Sequence, residues 1–234
     1  MKKISPSVLV YALLAGIVVV LSILQHVLPL QLNPGQSMSW VTIEIAIVLG
    51  AAGLVLARKC GFPEMLDQEV SNVQRYWLPF AVGAGLGIVM VVSDLLAPLG
   101  TDIQTRFPDS LIVFSLAGLV EEIVVHLFLV SLFVWLISVK WLGNRYTNVV
   151  FWIISIGVAL VYWLFQLSAV AKYFPQKLTI VFAIQTLLVI GITITLGAYY
   201  FRKSGFLAAV SLRFGFYFVW HIVWAGGIGI VRYL

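Results

Sequence analysis

An uninterrupted apolar run from Ser110 to Val139 dominates this chain, and it carries two adjacent carboxylates, Glu121 and Glu122, near its middle, with His126 one turn later. About 20 apolar residues cross the hydrocarbon core of a bilayer, so the run reads as a membrane-spanning helix. An ionised group at mid-depth costs roughly 2.5 to 3.5 kcal/mol on insertion scales, so two of them demand partners or protons from neighbouring segments. The pair is therefore either a polar clamp between helices or an active site inside the membrane.

The other segments repeat the pattern. With 62% hydrophobic residues, 10% charged residues and a mean hydropathy of +1.08, the 234-residue chain lies far from a soluble domain. The expected fold is all-α: one integral membrane domain, 1–234, a polytopic transmembrane helix bundle of about seven spans, with six to eight open. The expected spans are Val8–Leu28, Trp40–Ala57, Trp77–Leu96, Ser110–Val139, Val149–Val170, Leu178–Phe201 and Phe206–Val231. The first follows two lysines as a signal peptide would, but it is longer than a leader's apolar region and lacks a small-residue cleavage pattern, so it reads as a retained span. Arg58 to Tyr76 is the longest polar connection and leaves room for an interfacial helix or a re-entrant segment. Gly83 and Gly87 have the spacing that lets two helix backbones approach. Asp94, near the end of its span, is expected to reach the interface.

Lys and Arg outnumber Asp and Glu by 14 to 9, but the basic residues sit in short loops and at the chain ends. That distribution sets orientation and gives no nucleic-acid surface. Nine basic residues fall on the side of the N-terminus against four on the other, so the N-terminus is expected in the cytoplasm, with the protein in the cell (plasma) membrane. The single cysteine, Cys60, has no partner for a disulfide within the chain.

Three spans present polar stripes. Residues four apart share a helix face, so Glu122 and His126 project together while Glu121 points about 100° away. Arg213, Tyr217 and His221 are spaced four and four, as are Tyr162 and Gln166. At about 1.5 Å per residue the glutamates lie roughly 15 Å from one surface and Arg213 roughly 11 Å from the other. In a core about 30 Å thick, a long arginine closes that gap. A buried ion pair between Arg213 and Glu122 or Glu121 is expected, with His126 in the same network and Gln166 and His221 nearer the outer surface.

The run Ala117-Gly118-Leu119-Val120-Glu121-Glu122-Ile123-Val124-Val125-His126 resembles the first motif of the CPBP family, the CAAX-protease and bacteriocin-processing membrane proteins also called Abi proteins. Val161-Tyr162-Trp163-Leu164-Phe165-Gln166-Leu167 resembles its second motif, an aromatic followed four positions later by histidine. The stretch from Tyr200 through Gly205 to Ala209, with Arg213 and Tyr217 beyond it, resembles the third, a basic-Gly turn leading to histidine and then asparagine or aspartate. The three stretches occur in order and span residues 109–221. The resemblance implies a glutamate-dependent intramembrane endopeptidase in which a carboxylate activates water and polar side chains orient it. Only the carboxylates are kept. His126 replaces arginine, Gln166 and Arg213 replace the two histidines, and Tyr217 replaces the asparagine or aspartate. A register that puts His221 at the third-motif histidine leaves Ala225 at the asparagine position.

These replacements change chemistry, because glutamine does not exchange a proton as imidazole does. The resemblance therefore favours a non-catalytic member acting as a structural or partner-binding subunit in a membrane complex, with a membrane-protein partner or peptide among the membrane lipids. An active protease cleaving membrane-associated peptides is the alternative, with Gln166, Tyr217 and His221 still able to orient a water. No cofactor is expected. A metal at Glu122 and His126, joined by His221, is a less favoured reading, and a transporter lacks any pair of broken helices.

Overall fold

The computed structural model describes residues 5–33, 35–96 and 105–228, and within them the fold is all-α. Among the described residues, seven helices are long and apolar enough to cross a membrane. These are α1 (Pro6–Val27), α2 (Trp40–Lys59), α3 (Val73–Leu96), α4 (Asp109–Trp141), α5 (Thr147–Tyr173) and α6 (Ile180–Ser204), followed by α7, which runs as Phe206–Tyr217 and continues over Phe218–Ile228. Local chemistry sets several ends. The Ser39 hydroxyl accepts the Thr42 amide at the start of α2, the Thr179 hydroxyl accepts the Phe182 amide at the start of α6, and Pro6 opens α1. Between α6 and α7 the chain turns at Gly205, whose φ of 85° few side chains adopt.

Burial separates centre from periphery. Within an apolar 18-residue stretch of each helix, about two thirds of α7 and half of α4 are buried in the protein, against 22% for α1, α5 and α6. The core between them is aliphatic and aromatic: Leu116, Ile123, Leu127, Val130, Phe151, Phe201 and Phe206 are fully enclosed. The tightest crossing joins α3 to α7 through glycine. A Cβ on Gly83 would lie 1.9 Å from the Leu212 carbonyl oxygen, and one on Gly215 would lie 2.1 Å from that of Phe80. The Gly83/Gly87 spacing is thus used, and Gly215 completes it from the opposite helix. Gly50 and Gly53 do the same for α2 against Ile123 and Leu127 of α4.

Several sequence expectations need correction. After Cys60 the chain runs in turns to Ser71, with no interfacial or re-entrant helix, and α3 starts earlier than Trp77, with a π-helical turn at Val73–Trp77. Asp94 does not reach the interface. It is buried, and the Trp224 indole donates to its Oδ2 at 3.0 Å, so it ties α3 to α7. The expected end of the last span at Val231, and most of the loop before Asp109, lie outside the described residues.

Candidate functional site

Helices α4 and α7 meet at the polar centre. The Arg213 Nε donates to Glu122 Oε1 at 2.8 Å, and the Nη1 of the same guanidinium lies 3.7 Å from Glu121 Oε2. Glu121 and Glu122 point to different faces of α4, yet one planar guanidinium spans both. The Tyr217 hydroxyl, one turn further along α7, donates to Glu121 Oε2. Gly118 makes the crossing fit, because a Cβ there would press on Tyr217 at 3.3 Å and on the Arg213 stem at 3.4 Å.

His126 completes the arrangement from within α4. Its Nδ1 lies 2.5 Å from Glu122 Oε2, and its Nε2 lies 3.0 Å from the Ile194 carbonyl oxygen on α6. A carbonyl only accepts, so Nε2 carries a hydrogen while Nδ1 faces the Glu122 carboxyl. Two basic side chains, Arg213 and His126, are thereby set against two acidic ones, Glu121 and Glu122, as a low-dielectric interior favours. Gly197 leaves room for the imidazole, since a Cβ there would lie 2.7 Å from its Cε1.

Glu122, His126 and Arg213 are sealed from the surroundings, whereas the Glu121 side chain keeps 17% of its surface. Beside Glu121 stands α5. The Gln166 amide donates to the Tyr162 hydroxyl at 3.1 Å, and Tyr162 neighbours Glu121. One donor of the centre, Arg213 Nη2, is buried with no hydrogen-bond partner among the described residues.

His221 is placed elsewhere. It stacks on Phe114 at 3.9 Å and meets the Tyr217 ring edge-on at 4.7 Å, within an aromatic cluster one turn beyond the ionic centre. Glu121, Glu122, His126, Arg213 and Tyr217 therefore form one connected group with Gln166 behind Tyr162, and His221 packs on its rim. Glu122 and His126 bond each other directly. Among the described residues no three His, Cys, Asp or Glu side chains gather as a metal would need.

The backbone changes winding at this level. Directly after Glu122, α4 becomes π-helical over Ile123–Val130, and directly after Tyr217, α7 does so over Phe218–Ile228. Such segments recur at functional sites, where they re-aim side chains. The apolar sequence carries no sign of them. Gly118 and Gly197, which make room for the centre, are equally unmarked in the sequence, where other small residues such as Ser115 and Ala198 stand beside them.

Fold and site together define an integral membrane helix bundle with a buried ionic centre. No family model, curated protein or solved structure matches the chain.

Proposed function

We propose that this chain is a non-catalytic relative of the CPBP-type membrane endopeptidases, in which the former reactive centre locks the bundle that receives a membrane-protein partner or peptide. One observation carries the reading: both oxygens of Glu122 are committed, one to Arg213 and one to His126. A carboxylate that activates water must hold that water within hydrogen-bonding reach, and here protein donors stand in its place. The order of the three motif-like stretches, and their meeting around one centre, support the kinship. The N-terminus is assigned to the cytoplasm of the cell (plasma) membrane on the distribution of loop charge.

A second reading rests on Glu121. Its partial exposure, with Arg213 Nη2 still able to donate, suits a hydrolase that uses Glu121 as base and Arg213 to hold a developing oxyanion. Gentle extraction from the native membrane at native expression level separates the two. A stoichiometric companion retained through purification, with Glu121→Gln disturbing assembly, is the expected result. A lone protein that cleaves membrane peptides, with turnover lost in an abundant Glu121→Gln variant, overturns the non-catalytic reading.

A further inference from the structure

Away from the ionic centre, α2 and α4 finish side by side at the end of the bundle that also carries Arg58, Arg145 and Arg202. Lys59, the last residue of α2, and Lys140, near the end of α4, both direct their ammonium groups at the Trp135 indole, at 5.3 Å and 5.7 Å from its centroid. Winding explains the second contact. Trp135–Trp141 is π-helical, which places residues five apart on one face, whereas in an α-helix they would diverge by about 140°.

Both lysines are exposed, and neither has a hydrogen bond or ion pair among the described residues. The carboxylate nearest in sequence to Lys59, Glu64, is taken by Arg58, Ser5 and Ser7. One ring attracts a cation by only about 0.5 to 1 kcal/mol at an exposed site, so two like charges converging on it leave a positive field that an anion would neutralise. The location selects the anion. At 33 residues α4 is longer than the roughly 20 that span the hydrocarbon core, so its end enters the headgroup layer. Trp141 is 70% exposed there, and Val55 and Phe133 present apolar surface toward the acyl chains.

We propose that Lys59, Lys140 and Trp135 form a binding site for an anionic phospholipid. Its phosphodiester sits between the two ammonium groups, and its chains follow the exposed faces of α2 and α4. Juxtamembrane lysines attract such lipids by about 1 kcal/mol each, so two amount to roughly a thirtyfold preference. The site is independent of the reading of the ionic centre.

Native mass spectrometry of the full chain, released from equimolar phosphatidylglycerol and phosphatidylcholine, tests it. Phosphatidylglycerol should be retained about thirtyfold over phosphatidylcholine. The preference should vanish in Lys59→Gln/Lys140→Gln, weaken in Trp135→Leu, and survive both in Lys59→Arg/Lys140→Arg and in Lys172→Gln/Lys177→Gln at the other end of the bundle. Equal retention of the two lipids by the unsubstituted chain, or a preference that survives Lys59→Gln/Lys140→Gln, overturns the proposal. Displacement of the bound lipid by millimolar glycerol 3-phosphate would assign the site to a soluble anion and overturn the lipid assignment.

Discussion

Two arginine-glutamate pairs of nearly equal length occur in this chain, and they do opposite things. Arg213 meets Glu122 at 2.8 Å with both side chains at least 96% enclosed, while Arg58 meets Glu64 at 2.6 Å with 59% and 43% of their surfaces exposed. Separation does not distinguish them; surroundings do. At the surface water solvates either partner alone, so the pair contributes roughly 0 to 1 kcal/mol. In the bundle the same contact is an obligation, because either partner left alone is a buried charge.

The largest effect should follow removal of one buried partner. Arg213→Ala is expected to destabilise the protein by about 3 to 5 kcal/mol, read as poor accumulation and a lowered unfolding midpoint. Adding Glu122→Gln should recover part of the loss, and failure of both Glu122→Gln and Glu121→Gln to rescue would break the contrast. Tyr217→Phe comes next. It deletes a hydrogen bond to a carboxylate, expected to be worth about 1.5 to 3 kcal/mol in the same unfolding measurement. Arg58→Ala, by contrast, should stay within about 1 kcal/mol of the unsubstituted protein, and a larger shift would erase the distinction between the pairs.

The smallest effect is a pH dependence. Hydrogen bonds from Ser7 and from Arg58 hold the Glu64 carboxyl below its ordinary value of 4.5. The folded form thus prefers the ionised carboxylate more than the unfolded chain does. Its contribution is full above pH 4.5 and fades as the pH falls through the lowered folded value. Unfolding midpoints of the unsubstituted chain and Glu64→Gln should therefore differ at neutral pH and converge in acid, by a small amount because solvent screens the exposed pair.

The sequence anticipates the buried pair better than its surroundings. Opposite charges at similar depth on two apolar runs are enough to bring Arg213 to Glu122, because few other partners exist at that depth. Rotation about the helix axis is harder to read. Glu121 points away from Glu122, but the width of a guanidinium makes that divergence irrelevant. Asp94 looks like an interfacial residue when residues are counted along α3 alone, and only the approach of Trp224 from α7 buries it. Cavities such as that beside Gly197 depend on two helices at once, and local spacing along one of them does not show them. The changes of winding after Glu122 and Tyr217 likewise leave no mark in a run of valine, leucine and phenylalanine.

The sequence separation of 91 from Glu122 to Arg213 has a consequence for biogenesis. At a synthesis rate of about 5 to 20 residues per second, α4 emerges roughly 5 to 20 seconds before the residue that pairs with its carboxylates. Throughout that interval the nascent chain holds two acidic side chains and one histidine without their cation. Until α7 arrives, α4 needs either protons on its carboxyls or shelter from lipid, and a ribosome stalled in α6 would leave a product for membrane quality control.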